Sequence, residues 1–418
     1  MDQFESMNSG GKVFGIPLIR LRGKNATQNL IIKFGGPGNS GIDFTVDRGE
    51  VLNSIVGEGF HLVSFDPRGV GSSRPTASCY PDPETRRRLS NIRDKDVERD
   101  SPEVFAWTKN FVLACSNTMG EHGKYINTPQ TAADMNSILD ALGQDSMFEW
   151  YESPILYSDF IDTENVFAAF LDECIKAGDA CALASLADSK DELQDKVLSF
   201  LQSLRQSPAN VYINTTIHGI LDYDALWLNA VFPILYTPIL WPQFAMQLAN
   251  LMRGNGSSIF LAYGLPDSLE ANAESNQFVE FNDGLSGPQH WPQGRMEMLD
   301  KMRPYYTTSP FAYQLNRRYY ARQQWLIPKT HSFKPRRSVK TARPLLILAN
   351  TYDPVCPLVS AQSARDSFSH SRIVEVKAYG HCSIAMPSSC LAQHVRNFLY
   401  EGMMPSKDIQ CEIDGSYF

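Results

Sequence analysis

A short apolar run, Leu345-Leu-Ile-Leu-Ala-Asn-Thr-Tyr, ends in Asp353, and a second, residues 373–376, leads into Tyr379-Gly380-His381. Paired as parallel strands, these runs deliver both polar side chains to the carboxyl edge of a sheet, where such sheets place ligand and catalytic groups. An Asp that orients a His, which then acts as a base, is two-thirds of a hydrolytic triad. A lone His is more often structural, and His61, His122 and His394 are read that way. His381 differs because it follows a Gly at a strand end, with an acid at the end of the preceding strand.

The remaining pattern agrees with this. Residues 16–22, 30–34 and 60–65 read as strands, the second ending in Gly35-Gly36-Pro37-Gly38 and the third in Asp66-Pro67-Arg68-Gly69. Apolar runs ending in Gly/Pro loops, with helical stretches between them, predict an α/β chain with a mostly parallel sheet. Thr128-Pro129 opens a helix with an apolar face of Ala132, Met135, Ile138, Leu139 and Leu142, closed by Gly143. Residues 147–151 would be the next strand. From 155 to 337 amphipathic stretches such as 166–177 and 193–204 predominate, which predicts an inserted helical cap. The expected organisation is core in 1–154, cap in 155–337 and core again in 338–418.

With 418 residues, 43% of them hydrophobic, the chain can bury a large core. A net charge of −8 leaves no basic footprint, so no nucleic-acid partner is expected. The longest apolar run, 227–241, is broken by Asn229, Pro233 and Pro238 and falls short of the roughly 20 residues a membrane span needs. A buried pair of cap helices is expected there instead. Residues 1–11 are polar, without an apolar core segment, and are expected to carry no secretion signal. Against that, the eight cysteines include the close pairs Cys174/Cys181 and Cys382/Cys390. Cys79 with Cys115 is a further candidate, and sequons stand at Asn25, Asn214 and Asn255. Disulfides and glycosylation suit an oxidising compartment, while buried unpaired thiols are the alternative; the compartment stays open. No metal-ligand spacing and no phosphate-binding Gly loop occur, so neither metal nor cofactor is expected.

Glycines directly after a strand let the backbone approach a substrate, and their N–H groups can face a developing oxyanion; a plain tight turn is the alternative. Arg68 reads as a clamp on neighbouring loops rather than a catalytic group.

Taken in order, Gly35-Gly-Pro-Gly38, Phe65-Asp-Pro-Arg-Gly-Val-Gly-Ser-Ser-Arg-Pro75, Asn350-Thr-Tyr-Asp-Pro-Val355 and Gly380-His-Cys-Ser383 resemble the tripeptidyl-aminopeptidase-like (TAP-like) α/β-hydrolases, relatives of the prolyl aminopeptidases. The segments around Cys174 to Cys181, Leu235 to Pro242 and Cys382 to Cys411 share the likeness, which covers nearly the whole chain. The resemblance implies an α/β-hydrolase fold with a helical cap, Asp353 as triad acid, His381 as triad base, and Gly35 and Gly36 at the oxyanion hole. It implies release of short peptides or residues from a free N-terminus through an acyl-enzyme, with cap acids such as Glu280 or Asp283 capturing the amine. The open alternatives are an inactive member or truncated gene product that binds a peptide-like ligand, and a hydrolase of a small ester or amide.

The family carries its nucleophile on a Gly-x-Ser-x-Gly elbow, and no such sequence occurs here. Ser153 falls three residues after Trp150, in the register of the nucleophile. Tyr151 and Ile155 stand where the glycines belong, and Pro154 supplies no N–H for the oxyanion. The helix behind the elbow and the strand after it are also missing from the pattern, so the core is expected to be incomplete and turnover low.

Overall fold

The computed structural model describes residues 13–94, 96–142, 160–264, 273–307, 309–311, 316–331 and 338–418. The chain forms two compact units, residues 1–154 with 268–336 and residues 155–267 with 337–418. The stretch read as one helical insertion is thus shared between the two, 155–267 in one and 268–336 in the other.

In the first unit, β1 (Leu18–Leu21), β2 (Gln28–Ile32) and β3 (Phe60–Phe65) form a sheet of order β1-β3-β2. The central β3 runs antiparallel to β1 and parallel to β2. A strand covered on both faces needs a nearly continuous apolar run, and Leu62, Val63 and Phe65 are all buried. The helix Gly41–Val56 makes the crossover that parallel β2 and β3 require. Ser40 caps it, with Oγ accepting from the Asp43 N–H at 3.0 Å. The helix Thr128–Leu142 begins where its Thr-Pro signal lies, and its Met135 and Leu139 pack with Ile31 and Phe65. A second core gathers Phe111, Ile126, Phe278 and Trp325 around the Cys79–Cys115 disulfide. Residues 147–151, expected as a strand, lie outside the described residues.

The second unit contains the antiparallel pair β4 (Ala209–Tyr212) and β5 (His218–Leu221). Its larger sheet is fully parallel, with β6 (Leu346–Tyr352), β7 (Arg372–Tyr379) and β8 (Ile409–Cys411) in that order. The helix Thr163–Ala177 buries Val166, Phe167, Phe170, Leu171 and Cys174 on one face. Lys190–Ser203 buries Leu193, Val197 and Leu201, each one turn apart. The apolar run at 227–241 lies within two helical stretches, Tyr223–Tyr236 and Pro238–Met252, bent by 116°. Trp227, Val231, Leu235, Trp241 and Phe244 along it are buried. Among the described residues no single helix is long and apolar enough to cross a membrane.

The disulfides correct one sequence expectation. Cys174–Cys181 forms as its spacing suggested. Cys390, however, bridges Cys411 rather than Cys382, with Cα atoms 5.6 Å apart. The reason is tertiary: β8 pairs with β7 through Val376 and Cys411, which carries Cys411 to the helix Ser389–Glu401. Cys382 stays in the turn after β7, with a thiol outside any bridge.

Candidate active site

Adjacent parallel strands with equal polarity end at the same edge, and β6 and β7 are such a pair. Asp353 follows β6 directly and His381 follows β7 after Gly380. The ring Nδ1 lies 3.0 Å from each oxygen of the Asp353 carboxylate. Sequence spacing alone anticipated this meeting. Gly380 makes the turn possible: its φ is +109°, and a Cβ there would meet Pro238 Cδ at 2.5 Å.

Three backbone N–H groups hold the acid in place. Val355 and Cys356 donate to one oxygen at 3.0 and 2.8 Å, and Cys382 donates to the other at 2.8 Å. Asp353 is buried, so this pairing is what makes a carboxylate tolerable there. The Thr163 hydroxyl donates to the Pro354 carbonyl at 2.6 Å and anchors the same loop.

The His turn is fixed by residues that sequence reading did not single out. Asn350 is buried and donates from Nδ2 to the carbonyls of Gly380 and Cys382, both at 2.8 Å. The His381 N–H donates to the Tyr236 carbonyl at 2.9 Å, and the Tyr236 ring meets the imidazole edge-on with centroids 5.0 Å apart. Asn350 was visible as a polar residue within an apolar strand; Tyr236 carried no local signal. Cys382 is the third: its Sγ lies 3.3 Å from His381 Nε2. Its only signal was adjacency to the histidine, which spacing had assigned to a disulfide.

Burial of His381 opposes its charge, but the hydrogen bonds to Asp353 and to the Cys382 sulfur outweigh that, and the imidazole is pushed up to about 10. Asp353, His381 and Cys382 also offer atoms within 4.8 Å of one another that a metal ion could use. The carboxylate is already an acceptor for three amides and the ring, so the cluster is built as a hydrogen-bonded relay.

The other candidates are placed as follows. Gly35 and Gly36 belong to the first unit, in the turn after β2. Gly36 has a φ of +136°, and a Cβ at Gly35 would meet nothing within 4 Å. Among the described residues neither N–H has a hydrogen-bond acceptor. Asp66 knits this loop to the one after β3, accepting from Ser40 Oγ at 2.6 Å and from the Ser72 N–H at 2.8 Å. Arg68 forms a two-pronged pair with Asp134 on the helix Thr128–Leu142, rather than with a neighbouring loop as its position had suggested. Glu280 is paired with both Arg318 and Arg322. Asp283 accepts the Thr128 N–H at 3.0 Å and faces His331 at 3.3 Å. Both cap acids proposed for amine capture thus already have partners. Ser153 lies outside the described residues.

Comparison with known proteins fits this geometry. A family model described as TAP-like protein matches residues 311–411, the stretch that contains β6, Asp353, β7 and His381. Over that stretch the chain matches the TAP-like family, and its mix of helices and small sheets is consistent with an α/β-hydrolase fold. Its small sheets fit a member of this fold with an incomplete core. A tripeptidyl aminopeptidase of Streptomyces lividans is 22% identical over 91% of this chain and 76% of its own length. The serine protease Hip1 of Mycobacterium tuberculosis is 34% identical over 139 residues, 33% of this chain. That match spans only 27% of the length of Hip1. A Mycobacterium tuberculosis protein named carboxylesterase B is 20% identical over 91% of this chain and 79% of its own length. The relatives this chain resembles thus include proteins named as a serine protease, a peptidase and an esterase.

Proposed function

We propose that this site is the acid–base half of an exopeptidase-type amide hydrolase acting on short peptides with a free N-terminus. In this reading Asp353 orients the ring, His381 is the base, and the N–H groups of Gly35 and Gly36 receive the oxyanion. Ser153 is the candidate nucleophile, and residues 155–337 form the substrate-facing cap between core segments 1–154 and 338–418. The observation that carries the reading is His381 Nδ1 held 3.0 Å from both oxygens of a buried Asp353, the arrangement that fixes the tautomer of a triad histidine.

Turnover in this chain is expected to be low, for two reasons. Pro154 after Ser153 removes one oxyanion donor, and loss of one such donor costs roughly 3–4 kcal/mol of transition-state stabilisation. In addition, a ring that keeps its proton to about 10 is a poor proton acceptor at neutral pH. Residual hydrolysis should therefore increase as the pH approaches 10. The test is labelling by a fluorophosphonate serine probe, alongside turnover of tripeptidyl amides and small esters. The native chain should label weakly or not at all, and a chain with a Trp-Gly-x-Ser-x-Gly segment and its following helix restored after Trp150 should label strongly. Failure of the repaired chain to label would overturn the assignment of Asp353 and His381. Labelling at Ser153 in the native chain, lost in Ser153→Ala, would overturn the expectation of low turnover. The similarity to carboxylesterase B supports a second reading, hydrolysis of small esters. Faster turnover of esters than of peptide amides by the repaired chain would select it.

A further inference from the structure

The Cys382 sulfur occupies the face of His381 that a triad would turn toward its nucleophile. It lies 3.3 Å from Nε2, while Nδ1 on the opposite side is held by Asp353 at 3.0 Å. Acid, imidazole and thiol therefore form one hydrogen-bonded line, and the backbone N–H of the same cysteine donates to Asp353 at 2.8 Å. This differs from a thiol that merely sits near a histidine. The ring is oriented from behind, the turn is pinned by Asn350 at the Gly380 and Cys382 carbonyls, and the sulfur is outside all three disulfides. Access is also adequate: the His381 side chain is 26% exposed, against 3% for Asp353, and Cys382 is only partly buried.

We propose that Cys382 is a covalent modification site for small soft electrophiles, with His381 as its proton partner and Asp353 as the residue that positions the ring. Thiols become nucleophilic beside a protonated imidazole, which stabilises negative charge on sulfur. The contact of Sγ with Nε2 at 3.3 Å, with Asp353 behind the ring at 3.0 Å, supplies that environment. With iodoacetamide, the proton bridging Sγ and Nε2 remains on the ring, the sulfur lone pair forms a C–S bond, and the C–I pair departs as iodide. Thiol and iodoacetamide become thioether and hydrogen iodide, and no further reactant is needed. Modification would also occupy the Nε2 face and remove His381 from any reaction at a serine. The inference rests on the Asp353–His381 pair of the reading above, but not on Ser153 or the oxyanion loop.

Alkylation of the intact protein by limiting iodoacetamide at pH 7, quantified by peptide mass spectrometry, tests this with Cys356 as an internal standard. Cys356 is the more exposed residue, so exposure alone would make it react first. The expected result is alkylation of Cys382 about tenfold faster than Cys356, with the ratio falling to about one in urea-unfolded protein. The His381→Gln variant should lose the advantage as well. Cys382 reacting no faster than Cys356 in the folded native chain would overturn the proposal, and so would an advantage that survives unfolding. These arms need no variant to fold. Iodoacetamide labelling without fluorophosphonate labelling of the repaired chain would sink the hydrolase reading alone, and the converse would sink this proposal alone.

Discussion

Replacing Asp353 by Asn keeps the shape and removes the charge, which isolates what the carboxylate contributes. Both of its oxygens accept: one from the Val355 and Cys356 N–H groups, the other from Cys382, with His381 Nδ1 shared between them. An amide has only one accepting oxygen. Turned toward Val355 and Cys356, its NH2 opposes the Cys382 N–H; turned the other way, it opposes two donors. At least one buried N–H is left unpaired, at about 1–3 kcal/mol, and the remaining bonds lose their charge assistance. Together with the loss of the ring's counter-charge this amounts to about 3–5 kcal/mol, the cost of breaking a buried pair. Against a total of roughly 5–15 kcal/mol that is a large fraction. Denaturant unfolding followed by fluorescence suits the measurement, because Trp241 is buried in the same unit and lies 6.1 Å from the Tyr379 ring. Asp366→Asn serves as control, since that carboxylate is exposed and paired with the neighbouring Arg365. Its change should stay within about 0.5 kcal/mol. The sign of the pH dependence is fixed by His381. Its value in the folded chain is raised from 6.5 to about 10, so its contribution is fully present below 6.5 and is lost as pH climbs through 10. The gap between parent and variant should narrow over that window without closing, because the amide bonds to Asp353 persist. A variant as stable as the parent at pH 6.5, or a gap that widens toward pH 10, would refute this account of the site.

Two further expectations follow from the same unit. Nitrogen-15 NMR of the histidine rings should find His381 protonated on both nitrogens at pH 7 and titrating near about 10; a midpoint close to 6.5 would contradict the hydrogen-bonded line. Cys390→Ser should cost about 3 kcal/mol, since it opens a closure of 21 residues, and should add a free thiol at Cys411 to those that Cys356 and Cys382 already carry. Recovery of a Cys382 bridge in peptide mapping of the parent protein would count against the pairing described here.

The sequence alone determined the features that depend on neighbours along the chain. β3 falls on residues 60–65 as read, and the helix from Thr128 starts at its Thr-Pro signal. Asp353 and His381 meet because two apolar runs of one polarity must end at one edge once they pair. The clamp role of Arg68 was legible only in part: it was read as holding neighbouring loops, and its partner, Asp134, lies on the helix Thr128–Leu142. What lay beyond the sequence were the remaining choices among distant partners. Spacing favoured Cys382 with Cys390, but the register of β8 on β7 gave Cys390 to Cys411. Glu280 and Asp283 looked available for a substrate amine until two arginines and a histidine filled them. Asn350 and Tyr236 hold the His381 turn through contacts that span 30 or more positions. Local propensity and strand polarity are written in short stretches, whereas a hydrogen-bond partner is whichever group the packed backbone brings within about 3 Å. Tertiary structure alone therefore decided that a thiol, Cys382, faces the histidine.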